Sequence, residues 1–378
     1  SELRLSVGAR WPAPPRPRTM KRPRPQRRWQ AASGALALRL PVSRLHPRAL
    51  AAGTAVRGPW AVAFSGGADS LALLLLLWAH FPERRRQLLA LHFNHRLRGR
   101  AADADARFCA QVCRSLGVPL VTGRWDDPPA APSEAVAREA RHAFFAQALR
   151  RRRSAALWFG HQQDDIAETL LMRLARGSGS GGLAAPRPVQ PLPGHRLHLR
   201  PLLTVSKAEL VAALRAESLP WREDATNAGD SYLRNRIRSD VLPAWCAANR
   251  DRDALAGAAL SRERLEEDDE ALEAWRRDVA PLQADGALDL RPLAGRPRGL
   301  LRRAALAWLG AHPQTGKLSR QAFDALVDVV ARGQSTRFSV GRAGFAVVRR
   351  GILKFEPPRP AKPALVEIPN PKTPNHKE

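Results

Sequence analysis

Short apolar runs alternate with longer amphipathic stretches between residues 61 and 176. The apolar runs are 61–64, 88–93, 119–122 and 155–159, and the stretches with helical spacing are 70–81, 102–116, 133–151 and 164–176. Strands that alternate with helices are typical of a parallel sheet with helices on both faces. We therefore expect an α/β fold with a doubly wound parallel sheet, whose ligand site lies at the carboxyl ends of the strands.

The pattern changes after residue 243 and predicts a second, smaller α+β domain. Residues 250–280 have a charged helical pattern suited to a connector, and 288–309 and 321–330 have the spacing of amphipathic helices. Residues 335–355 alternate and turn at glycines, which is typical of a small antiparallel unit. The predicted segments are a disordered leader over 1–58, a catalytic domain over 59–246, a helical connector over 247–280, a C-terminal lobe over 281–357 and a flexible tail over 358–378.

The first 58 residues contain thirteen Lys or Arg and one acid, and they are rich in Pro and Ala. They show no hydrophobic periodicity, so we expect a basic leader that buries too little surface to offset its ordering entropy. An Arg-rich, acid-poor start is also compatible with an organelle transit peptide. We expect deletion of residues 1–55 to leave activity intact.

The whole chain has a formal net charge of +27, which favours a polyanionic partner. The leader supplies +12 of this charge, so the rest of the chain is still clearly basic. Only seven of the 62 cationic residues are Lys. A compositional bias toward Arg can explain part of this excess, so the charge alone is a weak indication of nucleic-acid binding.

The chain has three cysteines, Cys109, Cys113 and Cys246, which provide no disulfide framework and indicate a reducing cytoplasm. Cys109 and Cys113 lie one helical turn apart in an apolar pattern, which favours core packing over metal or redox use. The longest purely apolar run, 71–78, is far too short to cross a bilayer. We predict no membrane span.

Residues 65–70 read Ser-Gly-Gly-Ala-Asp-Ser and lie between an apolar run and a helical stretch. Gly66 and Gly67 can adopt left-handed dihedrals and let the backbone approach a ligand closely. The amides of the loop and of the helix start favour an anion, to which the two serines can add hydroxyl donors. Asp69 fits either a helix N-cap or a metal contact. An ordinary strand–turn–helix junction is the plain alternative.

A second group of chemically active residues lies in residues 160–177, which read GHQQDDIAETLLMRLARG. If a helix begins near Asp164, that residue and Asp165 share a helix face with Glu168. Paired carboxylates beside a phosphate loop can hold Mg²⁺, although acids near a helix start can also merely complement its dipole. His161 could contact phosphate, orient a carboxylate or end the strand. The histidine spacing does not fit a zinc site.

The loop at 65–70 resembles the pyrophosphate-binding loop, or PP-loop, of the ATP pyrophosphatase superfamily, whose members split ATP into AMP and pyrophosphate. Further motifs make the chain similar to the tRNA(Ile)-lysidine synthase family. They are HFNHRLRGRAADADARFC at 92–109, AREARHAFF at 137–145, GHQQDDIAETLLMRLARGSGSGGL at 160–183, RPLLTVSKAEL at 200–210 and WREDATNAGDSYLRNRIRSDVLP at 221–243. With the loop, they cover nearly all of residues 61–245 in the order typical of the family.

This resemblance implies an adenine nucleotide alpha hydrolase-like fold and a two-step reaction on tRNA(Ile) with a CAU anticodon. ATP first adenylates the C2 oxygen of the wobble cytidine and releases pyrophosphate. The side-chain amine of L-lysine then attacks C2 and expels AMP. The product, lysidine, changes decoding from AUG to AUA. Whether the chain forms a homodimer stays open.

The resemblance also suggests roles for particular residues. The pyrophosphate cradle would consist of Ser65, Gly66, Gly67, Ala68, Asp69 and Ser70. Asp165 and Glu168 would hold Mg²⁺. The attacking amine, with an ordinary pKa of about 10.4, must lose a proton, and Asp69, Asp165 and Glu168 are the candidate acids.

Two basic groups are candidates for contacts with the tRNA. Arg138 and Arg141 lie three apart, and the resemblance suggests that they are catalytic residues near the adenylated cytidine; a solvated helix face is the alternative. The group of Arg234, Asn235 and Arg236 could hold the tRNA backbone, or pair with Glu223 and Asp224. The lobe over 281–356 resembles the first C-terminal lobe of the family, which helps to engage the tRNA body.

Three other functions remain open at this point. A PP-loop tRNA thiolase would use the same adenylation loop but relies on reactive cysteines. A small-molecule adenylating ligase would not need a basic body. A non-catalytic RNA-binding protein would leave the acids at 164, 165 and 168 without a role.

Overall fold

The computed structural model describes residues 24–97, 99–129, 133–223, 233–316 and 318–358. The chain divides into two compact units between Glu267 and Asp268. None of the helices in the described ranges is long and apolar enough to cross a membrane.

Helices and strands alternate through the first unit as the apolar pattern predicts. The helices are α1 (Arg24–Arg39), α2 (Pro47–Ala55), α3 (Ala68–His80), α4 (Arg100–Leu116), α5 (Glu134–Arg151), α6 (Gln163–Leu174), α7 (Ser180–Leu183), α8 (Lys207–Ala216), α9 (Leu233–Arg236) and α10 (Leu242–Ala248), and α11 (Ala254–Val279) contains the division between the units. A π-helical segment, Ile237–Val241, joins α9 to α10, and 3₁₀ turns cover Val42–Arg44, Pro82–Gln87 and Pro201–Thr204. The strands are β1 (Trp60–Ala63), β2 (Leu88–Asn94), β3 (Leu120–Arg124), β4 (Ala156–Trp158), β5 (Val189–Leu192) and β6 (Arg196–Leu199).

These strands form one sheet in the order β3-β2-β1-β4-β6-β5. All neighbours pair in parallel except β5, which runs antiparallel to β6. The predicted α/β fold with a doubly wound parallel sheet is therefore confirmed. The chain leaves β1 toward β2 on one side and returns to β4 on the other, so the crevice beyond the ends of β1 and β4 is the expected ligand position.

Helices cover both faces of the sheet, and successive residues of a strand point to opposite faces. Trp60 and Val62 of β1 pack into the core that contains α1, α3, α4 and α8. Ala61 packs on the other face, with Phe144 and Phe145 of α5. This two-sided burial explains why the central strands are continuous apolar runs rather than alternating ones.

The prediction of a disordered leader over 1–58 is wrong for the part that the structure describes. Residues 24–39 form α1 and 47–55 form α2, and Trp29, Leu36, Leu40 and Leu45 are buried in the main core. Trp29, Leu36 and Leu40 follow helical spacing and form a short apolar stripe. The Pro and Arg residues around this stripe made it hard to recognise in the sequence. Residues 1–23 lie outside the described ranges.

The second unit contains a small antiparallel sheet with two helices. Its strands are β7 (Leu288–Asp289), β8 (Thr336–Ser339), β9 (Phe345–Arg349) and β10 (Ile352–Glu356), in the order β7-β10-β9-β8, and its helices are α12 (Arg298–Ala311) and α13 (Arg320–Arg332), with 3₁₀ turns at Arg291–Leu293, Pro313–Thr315 and Gly341–Ala343. The predicted smaller α+β domain is confirmed. The predicted helix over 288–309 is wrong at its start: residues 288–289 pair with β10, and Pro297 caps a helix that begins at Arg298.

Candidate functional site

The PP-loop connects the end of β1 to the start of α3 and depends on a glycine at its turn. Gly66 has φ +90°, and a Cβ there would lie 3.1 Å from Cys109 Sγ and 3.3 Å from the Phe108 ring. The Arg222 amide donates a 2.9 Å hydrogen bond to the Gly66 carbonyl. A side chain at this position would meet both strain and a clash, so the sequence needs glycine here.

The two loop serines brace the loop from inside. Ser70 Oγ accepts from the Ser65 amide at 3.2 Å, lies 3.0 Å from Ser65 Oγ and donates to the Gly67 carbonyl at 3.0 Å. Gly67 occupies the N-cap of α3 without a side-chain cap. The amides of the first turn of α3, which includes Ala68, are therefore suited to an anion. Asp69 is therefore not the N-cap of α3, which was one of the two roles considered for it from the sequence.

Asp69 instead pairs with a lysine from a distant helix. Lys207 Nζ lies 2.6 Å from Asp69 Oδ1. Burial raises the pKa of Asp69, and the lysine opposes that rise. The sequence reasoning gave Lys207 no role. A signal existed, because Ser206 and Glu209 form the capping box that starts α8 and thereby sets the position of Lys207.

The second motif lies directly against the PP-loop. A Cβ on Gly160, after β4, would come within 2.8 Å of the Asp69 backbone and 2.9 Å of the Ser70 amide. Only glycine allows this approach between the end of β4 and the start of α3. The two motifs that the sequence singles out therefore meet at the crevice between β1 and β4.

The acids at the start of α6 have different partners. Gln162 caps the helix, accepting from the Asp164 amide at 2.6 Å, while Asp165 Oδ2 accepts from the Gln162 amide at 2.9 Å. Asp164 Oδ2 accepts from the Lys207 amide at 2.9 Å. Burial raises the pKa of Asp164. Asp164, which was not among the predicted site residues, thus connects α6 to α8.

Two arginines form ion pairs with the carboxylates of Asp165 and Glu168. Arg234 Nη2 lies 2.6 Å from Asp165 Oδ1, and Arg234 Nε lies 2.7 Å from Glu168 Oε2. Arg238 Nε lies 2.6 Å from Glu168 Oε1, whose side chain is fully buried. Burial by itself would lower the pKa of Arg238, but hydrogen bonding to Glu168 and the negative charges of Glu168 and Asp165 together outweigh it and raise that pKa. These contacts join the segment α9–α10 to α6.

The predicted magnesium ligands do not fit a divalent cation in this arrangement. Both oxygens of Glu168 accept hydrogen bonds from guanidinium groups, and one oxygen of Asp165 does so as well. Among the described residues, no group of three or more His, Cys, Asp or Glu side chains is placed to hold a metal ion. A hard cation requires carboxylate oxygens that are not already neutralised. We therefore assign no metal ligand.

Arg234 was predicted to bind tRNA together with Asn235 and Arg236, and all three lie on the short helix α9. The structure gives Arg234 the acids of α6 as partners. The alternative partner Asp224 lies outside the described ranges. Contact of α9 with RNA stays a prediction.

A basic and aromatic cluster lies beside the end of β4. Arg200, which the sequence reasoning missed, is 5% exposed and donates from Nε to His161 Nδ1 at 3.1 Å. Burial and then the charges of Arg200, Arg234, Arg138 and Arg141 hold the pKa of His161 well below its usual value. The predicted residues Arg138 and Arg141 therefore act electrostatically on a neutral histidine next to the acid motif.

A cavity of about 280 Å³ opens beside the PP-loop. Its polar lining comes from both motifs, from α8 and from the π-helical segment, and its apolar lining comes from α10 and α11. The lining residues are Asp69, Gln162, Asp164, Glu168, Lys207, Arg238, Leu242, Pro243, Cys246 and Leu255.

Cys109 and Cys113 are buried in the core, as the apolar spacing predicts. Burial raises the pKa of the Cys109 thiol strongly and that of Cys113 to about 12. Both thiols are therefore protonated and unreactive near neutral pH.

Comparison with known proteins agrees with this geometry. Residues 47–245 match the family model of the PP-loop domain, which begins at α2 rather than at the predicted residue 59. The tRNA(Ile)-lysidine synthase of Geobacter sulfurreducens is 38% identical over 287 residues, covering 72% of this chain and 58% of that protein. The enzyme of the same name from Xanthomonas axonopodis pv. citri is 42% identical, and the alignment covers 67% of this chain and 57% of that protein. The one from Pseudomonas aeruginosa is 40% identical, and the alignment covers 67% of this chain and 59% of that protein.

The chain thus spans a little under three fifths of the length of these relatives. The family model, in contrast, matches more than half of this chain, over the same residues that carry both motifs, the sheet crevice and the cavity. The chain belongs to the PP-loop domain family.

Proposed function

We propose that this chain carries out the ATP-dependent ligation of L-lysine to C2 of the wobble cytidine in the CAU anticodon of tRNA(Ile). The observation that carries the proposal is the contact at Gly160, which brings the PP-loop and the acid motif of α6 to the edge of one cavity. Such a reaction needs a phosphate site next to an amine site, and the PP-loop and the acid motif would supply the two. The similarity to relatives named tRNA(Ile)-lysidine synthase supports the same function.

The first step makes one bond and breaks one bond at the α-phosphorus of ATP. The C2 oxygen of the cytidine attacks that phosphorus, and pyrophosphate leaves with the electron pair of the broken P–O bond. The amides at the start of α3 would stabilise the departing anion. Lys207, which pairs with Asp69 at the cavity, would add positive charge.

In the second step the side-chain amine of lysine attacks C2 of the adenylated cytidine. The new C–N bond forms, the C2–O bond breaks, and AMP leaves while the amine gives up a proton. Of the acids that line the cavity, Asp164 has no ion pair with a described residue and would supply negative charge to an incoming ammonium group. Mg²⁺ commonly accompanies ATP, but no step here depends on a metal ligand from Asp165 or Glu168.

The basic character of the chain suits an RNA substrate. The net charge is +27, and phosphate contacts supply most of the sequence-independent affinity of proteins for nucleic acids. Arg138 and Arg141 lie near the acid motif and would contact the RNA phosphates next to the target base. A cytoplasmic location, where tRNA and ATP meet, is part of the proposal.

The thiolase alternative has no support in the described residues, because Cys109 and Cys113 are buried with raised pKa values. The test is to incubate the protein with ATP, Mg²⁺, labelled lysine and a tRNA pool that contains the CAU isoleucine acceptor. Label should enter RNA with stoichiometric release of AMP and pyrophosphate. Folded protein that releases pyrophosphate without transferring label would point to another adenylating function.

A further inference from the structure

The peptide unit between Gly66 and Gly67 is held from outside the PP-loop. A trans peptide unit is planar, with its carbonyl and its N–H on opposite sides, so the direction of the Gly66 carbonyl decides where the Gly67 amide points. Because both residues are glycines, this unit can rotate at little steric cost. Such a rotation would turn a carbonyl oxygen toward a bound anion.

The next peptide unit of the loop has a support of its own. The Gly67 carbonyl accepts from the Leu71 amide at 2.9 Å and from Ser70 Oγ at 3.0 Å, and both donors belong to α3. The Gly66 carbonyl accepts instead from the Arg222 amide at 2.9 Å. Arg222 lies beyond the end of α8, so a distant segment of the chain sets the orientation of this unit.

The hydrogen bond from Arg222 turns the Gly67 amide toward the inner side of the loop. There the amide donates to Ser65 Oγ at 3.3 Å, and Ser65 Oγ lies 3.0 Å from Ser70 Oγ. Gly67 is the N-cap of α3, so its N–H lies next to the unpaired amides of the first turn. An anion bound there gains this additional donor only while the Gly66 carbonyl faces Arg222.

Arg222 is itself placed by an ion pair with α4. Its Nε lies 2.6 Å from Oδ1 of Asp105. The Asp105 side chain is 8% exposed and that of Arg222 is 41% exposed, so the acid is the more enclosed member of the pair. The neighbouring residue Trp221 packs against the core that contains α3 and α4. A charged contact and apolar packing therefore fix this segment beside the PP-loop.

We propose that Arg222 and Asp105 are positioning residues for pyrophosphate binding, which hold the Gly66–Gly67 peptide unit with its N–H toward the anion. Asp105 acts through the side chain of Arg222, and Arg222 acts through its backbone amide. The inference rests on the first step of the proposed function, in which pyrophosphate leaves ATP. It has the consequence that a buried acid strengthens the binding of an anion.

This consequence has the opposite sign from the direct effect of charge. Removal of a carboxylate near an anion site lowers the Coulombic repulsion, so Asp105→Asn would tighten pyrophosphate binding if charge alone mattered. Binding would also tighten if Arg222 were a direct phosphate ligand, because its guanidinium would be released from Asp105. If the pair positions the loop, Asp105→Asn weakens binding, since the charge-assisted contact that places Arg222 is lost.

The experiment measures the Kd of inorganic pyrophosphate by isothermal titration calorimetry on the full chain with Mg²⁺. Asp105→Asn and Arg222→Ala should each raise this Kd about fivefold or more, the scale of a weakened hydrogen bond to a charged group. The double variant should bind no more weakly than the weaker single variant, because both changes act on one hydrogen bond. In turnover the KM for ATP should rise by the same factor, while the KM for tRNA stays unchanged.

The ion pair between Arg39 and Glu217 supplies a matched control. It joins α1 to the C-cap of α8, with Arg39 Nε 2.7 Å from Glu217 Oε1. Glu217→Gln should change neither the Kd of pyrophosphate nor the KM for ATP. A pyrophosphate Kd that is unchanged or lower in Asp105→Asn would overturn the inference, as would a parallel rise in the KM for tRNA. Unmodified protein that binds pyrophosphate but transfers no lysine to RNA would refute the proposed function and leave this inference standing.

Discussion

Lys207 and Asp69 join helix α8 to the PP-loop through a 2.6 Å contact between Nζ and Oδ1. They are 138 positions apart in the chain and meet only because α8 packs beside α3. Burial raises the pKa of Asp69, and the ion pair with Lys207 opposes that rise. The pair also sets a cation at the edge of the crevice where pyrophosphate would leave.

Replacing Lys207 tests this relationship. Lys207→Met should lower the rate of pyrophosphate release about tenfold or more, since a preorganised positive group near the leaving anion is lost. Lys207→Arg should retain more of the rate because it keeps the charge. The measurement is pyrophosphate release with tRNA and ATP. Lys354, which pairs with Asp285 on the exposed surface of the second unit, is the control, and Lys354→Met should leave the rate unchanged.

Glu168 is expected to contribute to folding as well as to the site. Its side chain is fully buried between Arg234 and Arg238, so Glu168→Ala should lower the free energy of unfolding by roughly 3–5 kcal/mol by leaving guanidinium charge uncompensated. Urea denaturation monitored by circular dichroism gives the value. Glu168→Gln keeps the shape but removes the charge, so it should lose nearly as much, and a Gln variant as stable as the unmodified protein would contradict an electrostatic cause.

Two leucines of helix α1, one buried and one exposed, test whether this helix is part of the folded core. Leu36 is fully buried and Leu38 is 86% exposed, two positions away on the same helix. Leu36→Ala should lower the free energy of unfolding by about 2–5 kcal/mol, and Leu38→Ala should change it by less than about 0.5 kcal/mol. Correspondingly, deletion of residues 1–23 should preserve the melting temperature, whereas deletion of 1–55 should lower it sharply. A stable, active protein lacking residues 1–55 would restore the original expectation of a dispensable leader.

Gly160 tests whether the two motifs must touch. A Cβ there would lie within 2.8 Å of the Asp69 backbone, so Gly160→Ala should push the PP-loop away and raise the KM for ATP about tenfold. Gly257 of α11 has no atom within 4 Å of an added Cβ. Gly257→Ala should leave the KM unchanged and stabilise the helix by roughly 0.5–1 kcal/mol. Initial rates at varied ATP concentration decide between these outcomes.

Buried histidines predict a loss of stability in mild acid. Burial lowers the pKa of His46 and of His142 to about 4, and that of His198 to about 3. Arg262 and Arg48 lower the pKa of His46 further, and Glu263 opposes them. Since the unfolded chain takes up these protons at its ordinary pKa of 6.5 and the folded chain does not, stability is complete above pH 6.5 and falls as the pH drops toward 4.

The measurement is the free energy of unfolding at pH 7.5 and at pH 5, by urea denaturation at constant ionic strength. His198→Phe should reduce the difference between the two values, because it removes one of the protonatable rings. The exposed residue His195 serves as the control, and His195→Phe should leave the difference unchanged. A free energy of unfolding that does not change between these pH values would contradict the buried, neutral histidines.

The alternation of apolar runs and amphipathic stretches was sufficient to predict the sheet and its helices, because burial on two faces imposes a pattern on each segment locally. Both motifs at the crevice were also recognisable, because each resembles a motif of a known family and each follows a predicted strand end, where ligands bind in such sheets. The same local reasoning failed for α1. There a single apolar stripe is surrounded by Pro and Arg, and only its packing against α3 and α4 shows that it belongs to the core.

The partners of the charged groups were decided by the tertiary structure alone. The sequence places carboxylates at 165 and 168 and arginines at 234 and 238, but it does not say that α9 and the π-helical segment pack on α6. Coulombic interactions depend on distance in space, and distances between segments some 70 residues apart are set by packing. The sequence by itself therefore determined the fold and the loop chemistry, whereas tertiary contacts decided which acids are paired with basic side chains.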